Sequence, residues 1–171
     1  MKNTPLQRLD LWARALSPFA IPVLLILASV ALVRSPEVAP VVPSLAMTAV
    51  FYWSVFRPDL LPPWAIFLLG LFQDLITGIP VGAGVLALLI VYFSVAAQRR
   101  FFSSASFFML WVSFILIAAV ASLPMWLAAS FLLGRFVDPA PVLLQYLATI
   151  AVYPCLAWLF GQAQQAFLRT A

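Results

Sequence analysis

Gly70-Leu71-Phe72-Gln73-Asp74-Leu75-Ile76-Thr77-Gly78-Ile79-Pro80-Val81-Gly82 sets one carboxylate inside an apolar run and then breaks the chain with two glycines and a proline. Asp74 is the only acidic residue of the protein within a hydrophobic stretch. A carboxylate at bilayer depth costs at least a few kcal/mol unless it is paired, neutralised or facing water, so this position needs a specific reason. Pro80 resists continuation of the incoming helix, Gly78 and Gly82 permit positive φ, and Thr77 can satisfy exposed backbone groups. The stretch therefore predicts a turn between two helices. A small-xxx-small dimer face at Gly78 and Gly82 is disfavoured by the proline between them.

Working outward, the chain of 171 residues is 65% hydrophobic, 15% aromatic and 8% charged, with a mean hydropathy of +1.12. A soluble core of this size cannot hide so much apolar surface, which identifies an integral membrane protein. The predicted fold class is all-α, a polytopic membrane bundle of about six transmembrane helices, each needing roughly 17 to 25 mostly apolar residues. The spans are expected at Leu16–Val33, Val41–Phe56, Pro62–Thr77, Val81–Ala97, Ser106–Leu133 and Pro141–Phe160. The second and third are short, which calls for local bilayer thinning or a partly re-entrant path. A single integral membrane domain is predicted over residues 1–171, with 1–15 a cytoplasmic N-terminal segment, 16–160 the bundle and 161–171 a cytoplasmic tail.

Arginines set the orientation. With a cytoplasmic N-terminus the inner side receives Lys2, Arg8, Arg14, Arg57, Arg99, Arg100 and Arg169, and the outer loops only Arg34 and Arg135, each with an acidic neighbour, Glu37 or Asp138. Seven against two is a positive-inside bias that predicts a multi-pass protein of the bacterial cytoplasmic (inner) membrane with both termini cytoplasmic. The net charge of +4 then faces anionic headgroups of the lipid bilayer. Nucleic acid is not an expected partner, because the basic residues are spread among short loops with no soluble domain to organise them.

The N-terminal segment does not read as a cleaved signal peptide, since its apolar run starts late and leads into further spans. Thr4 as N-cap, Pro5 and Gln7 mark a helix start, and Leu6, Leu9, Ala13 and Leu16 recur at helical spacing. A short interfacial helix on the cytoplasmic leaflet is predicted, with a frayed tail as the alternative.

Polar residues within the spans form three stripes. Gly70, Gln73, Asp74 and Thr77 share one face of the third span at i, i+3, i+4, i+7, which turns Asp74 toward the bundle. Ser44, Thr48 and Tyr52 repeat every four residues on the second span, as do Gln145, Thr149 and Tyr153 on the last. A shared interior seam or cavity is one reading. Plain helix-to-helix hydrogen bonding, worth about 0.6 to 2 kcal/mol per contact, is the other. For Asp74 the readings are packing and hairpin capping, a partner-binding or pocket role, and proton or ion transport.

Catalysis is not expected, and neither a cofactor nor a metal is predicted. Cys155 is the single cysteine and there is no histidine, so the usual nitrogen and sulfur ligands are missing. The five acidic residues are scattered, and no histidine or lysine lies at membrane depth to activate a serine.

Tyr52-Trp53, Pro58, the run from Gly70 to Gly82, Leu86 and Tyr92 together resemble the central signature of the MreD family of bacterial rod shape-determining proteins. Gly70, Asp74, Gly78 and Gly82 stand where that family's G-x-x-x-D-x-x-x-G-x-x-x-G pattern places them, and Tyr153-Pro154 is similar to an aromatic-proline pair near the end of its chains. The detailed match covers about residues 43 to 92. The resemblance implies a fold similar to the S-components of energy-coupling-factor vitamin transporters, six helices around an outward-opening pocket. It also implies a non-enzymatic scaffold or regulator of lateral wall synthesis that binds MreC, with MreB, RodA and a class B penicillin-binding protein as direct or indirect partners. Partner- or pocket-lining candidates are Asp74, Gln73, Thr77, Gly70, Gly78, Pro80, Gly82, Tyr52, Thr48, Gln145, Thr149 and Tyr153. Two alternatives belong to another class. A vitamin-binding S-component would carry an A-x-x-x-A motif in the first span, which Ala20, Ala28 and Ala31 do not provide. A proton-coupled carrier would show more intramembrane charge or a repeated half.

Overall fold

The structure, a computed structural model, describes residues 23–29, 42–58, 61–77, 81–102, 105–132 and 134–169. Among these residues every regular element is helical: α1 (23–29), α2 (Leu45–Phe56), α3 (Pro63–Thr77), α4 (Ala83–Ala97), α5 (Arg99–Phe102), α6 (Phe107–Leu132) and α7 (Ala140–Arg169). The interfacial helix expected at the N-terminus, and the positions Gly78 and Pro80, lie outside the described residues.

Prolines and glycines set the ends. Val42 precedes Pro43, whose ring disfavours helical geometry at the residue before it, so α2 starts two residues past the proline. Pro63 occupies the first helical position of α3, where a missing N–H is harmless. Gly82, at φ 105°, is the N-cap of α4, and Gly134, at φ 60°, follows the end of α6.

Two helices, α6 and α7, are long and apolar enough to cross a bilayer. Within their most apolar windows only 28% and 17% of residues are buried, so both present most of their apolar surface outward, as a lipid-facing helix does and the core helix of a soluble protein does not. By contrast α2, α3 and α4 have 12, 15 and 15 residues. At ~1.5 Å of rise per residue each is shorter than a hydrocarbon core of ~30 Å. The last helix runs on to Arg169, nine residues past the boundary expected at Phe160.

α4 packs against α2, α3 and α6, and α7 closes on α6 and α2. Residues Leu45 to Ser54 of α2 are all buried, as befits a helix that is apolar around its circumference. An aromatic cluster locks α2, α6 and α7 together. Phe114 and Tyr153 stack with centroids 4.4 Å apart, and Phe51 lies 5.1 Å from Phe114 and 5.7 Å from Tyr153. Such pairs each add about 0.5–1.5 kcal/mol beyond area burial.

Candidate functional site at the α3–α4 hairpin

Asp74 lies at the start of the last turn of α3 and is 1% exposed. Both carboxylate oxygens are engaged: Gly82 donates its backbone N–H to Oδ2 at 2.7 Å, and Gly84 donates to Oδ1 at 3.0 Å. The donors belong to the start of α4, where the first N–H groups have no partner inside the helix and the helix dipole is positive. One side chain therefore meets two needs, those of a buried acid and of an uncapped helix. Backbone N–H groups and a carboxylate form charge-assisted bonds, each worth about 1.5–3 kcal/mol.

Glycines make the approach possible. A Cβ on Gly84 would collide with Asp74 Oδ1, and one on Gly70 would sit 2.6 Å from Val85 Cα and 2.9 Å from Val85 N. Around Gly82 there is open space, so its requirement is conformational: φ 105° is a backbone state that side chains rarely adopt. Gly70, Gln73 and Asp74 are buried on one face of α3 and Thr77 is half-buried, as the spacing predicts. The Thr77 hydroxyl donates to the Gln73 carbonyl at 2.7 Å, one turn back along its own helix. Gln73 is buried with its Oε1 unpartnered.

The other two stripes meet each other. Ser44 donates its N–H to Thr149 Oγ1 at 2.9 Å, Thr149 donates to the Gln145 carbonyl at 2.6 Å, and Thr48 donates to the Ser44 carbonyl at 3.3 Å. Ser44, Gln145 and Thr149 line a narrow crevice with Met47, Ala118 and Tyr146, among others. Tyr52 and Tyr153 lie farther along, buried among aromatic rings, with Tyr52 5.1 Å from Phe160. None of the α3 candidates lines that crevice, so among the described residues the three stripes form two separate places and not one seam. A helical period assigns a residue to a face of its own helix; it does not say which neighbour that face meets.

Two positions that hold the helices together escaped the sequence reading. Gly84 is one, although a Gly-x-Gly opening a helix after a buried acid is the signal that would find it. Trp111 is the other: its Nε1–H donates to the Ile150 carbonyl at 3.3 Å.

The family model of the rod shape-determining protein MreD matches residues 13–162 of the chain. No curated protein and no solved structure matches it.

Proposed function

The chain belongs to the MreD family of rod shape-determining proteins, and from that premise we propose that it is a multi-pass scaffold of the bacterial cytoplasmic membrane that binds MreC and helps couple it to peptidoglycan synthesis. Membership itself carries a role in rod-shape determination, in a family of shape-determining and not enzymatic proteins. The proposal adds six spans, both termini on the cytoplasmic side, an arrangement like that of transporter S-components, and contacts, direct or indirect, with MreB, RodA and a class B penicillin-binding protein.

One observation carries the scaffold reading over a carrier. The single acid in an apolar run has both oxygens committed to backbone donors of the same hairpin, so it stiffens the bundle and does not stand open to a travelling proton or ion. Gly70, Gln73, Thr77, Gly78, Pro80 and Gly82 serve the same hairpin in this reading. Tyr52, Thr48, Gln145, Thr149 and Tyr153 hold the α2–α7 contact. The outward apolar faces of α6 and α7 support partner binding by a single-span protein.

Site-directed photocrosslinking from the outer ends of the spans, in cells, tests the proposal. A crosslinked MreC-like chain is the expected product. Recovery of an ATPase–EcfT-type module in its place would overturn the scaffold reading in favour of a transporter subunit.

A further inference from the structure

The α6–α7 connection is held by side chains of the helix that precedes it. Its backbone is folded back onto α6 by two side chains of that helix: Trp126 Nε1–H donates to the Val137 carbonyl at 3.1 Å, and Val137 N–H donates to Ser130 Oγ at 3.3 Å. Two apolar clefts flank this latch. One, about 380 Å³, lies between α6 and α7 and is lined by Leu123, Trp126, Val142 and Leu143 among others. The second, about 420 Å³, lies at the end of α6 and is lined by Leu127, Phe131, Arg135 and Phe136 among others. Trp126 lines the first cleft and Phe136 the second, and their rings stand 6.3 Å apart as a common wall.

The polar groups of this region are already engaged. Ser122 donates to the Ala119 carbonyl at 2.8 Å, Tyr146 to the Ile115 carbonyl at 3.0 Å, and Asp138 Oδ1 accepts the Ala140 N–H at 3.0 Å. Arg135 is the one charged side chain lining either cleft, it is exposed, and it forms no ion pair among the described residues. An occupant that matches these surfaces is apolar along its length and carries one anionic group at its end. A packed helix, ~10 Å across, does not fit compartments divided by the Trp126–Phe136 wall. A flexible chain does, and each cleft has the ~300–1,000 Å³ size of a small-molecule site.

We propose that the cleft at the end of α6, which Arg135 lines, holds an acyl chain of an anionic phospholipid whose phosphate pairs with Arg135. Arg135 lies in the connection between two bilayer-length helices, which is the level of the headgroups whichever side of the membrane it faces. The inference rests on the bilayer placement proposed above and on no particular protein partner.

Native mass spectrometry of the full chain, extracted from membranes in detergent and titrated with phosphatidylglycerol or phosphatidylcholine of identical acyl chains, is the test. The expected result is a preference for phosphatidylglycerol that falls about fivefold in Arg135→Gln, the factor that one basic residue at a membrane surface contributes, and that stays intact in Arg57→Gln. Leu127→Trp, which fills the cleft, is expected to reduce adducts of both lipids with helicity unchanged. No preference in the wild type, or a preference that survives Arg135→Gln, overturns the site. A chain recovered outside the membrane fraction would overturn the bilayer placement itself, whereas a membrane-extracted chain indifferent to headgroup overturns the lipid site alone.

Discussion

Trp111 on α6 donates its indole N–H to the carbonyl of Ile150 on α7, and Ile150 is the residue that would otherwise receive the backbone N–H that Pro154 lacks. Proline four residues on leaves that carbonyl without its helical donor. A side chain from the neighbouring helix fills the vacancy, so the irregularity in α7 is also its tie to α6.

Trp111→Phe removes this donor and is expected to destabilise the protein by about 1 kcal/mol, the low end of the cost of an orphaned polar group because the bond is only partly buried. Pro154→Ala restores a local N–H for Ile150. The loss caused by Trp111→Phe should therefore shrink in the Pro154→Ala background, as read by thermal unfolding in detergent; equal losses in both backgrounds would dissociate the tryptophan from the proline.

At the hairpin, Asp74→Ala leaves the N–H groups of Gly82 and Gly84 unpaired, a loss of about 1–3 kcal/mol. Asp74→Asn keeps one acceptor but turns an NH2 group toward the second N–H, so it also destabilises, less than alanine does. The ordering wild type, Asn, Ala in unfolding midpoint checks the arrangement.

Gly84→Ala and Gly82→Ala should fail for different reasons. The first drives a methyl group into the Asp74 carboxylate, at about 1–3 kcal/mol for overpacking, and the second forces a side chain into φ 105° at a similar cost of strain. Asp74→Ala removes the obstacle to the first methyl but not the strain of the second. A double-mutant cycle should thus show coupling between positions 74 and 84 that owes nothing to Gly82's φ.

In cells, Asp74→Ala is expected to weaken rod-shape maintenance and partner recovery more than Ser113→Ala, with expression matched by immunoblot. Full rod shape with normal partner recovery in Asp74→Ala would reduce the hairpin to an ordinary packing element.

Reporter fusions at the two ends should both report the cytoplasm. An external C-terminus would mean an odd number of crossings, with the short α2 or α3 segment failing to span.

Much of the hairpin was legible because its signals are side chains. An acid amid leucines demands partners, and the spacing of Gly70, Gln73, Asp74 and Thr77 names the face that hides it. The partners themselves were not legible, because they are backbone N–H groups, which carry no letter in the sequence; any residue other than proline at positions 82 and 84 would offer the same donor. What singles out those positions is steric, a Cβ with nowhere to go at Gly84 and a left-handed backbone at Gly82. The Trp111–Ile150 bond is hidden for the same reason, its acceptor being a main-chain carbonyl 39 residues away. Pro154 announces that a carbonyl is free and leaves the donor unnamed. Likewise the polar repeats on α2 and α7 name faces of their own helices, and only the packing of α2 on α7 brings Ser44 to Thr149.

The carboxylate of Asp74 finds its donors only eight and ten residues downstream. A chain made from its N-terminus reaches Gly84 well before α6 and α7, so the acid and both of its donors lie within one short stretch that precedes them. The hydrogen bonds that this acid needs are thus supplied by local chain alone and ask nothing of a more distant element.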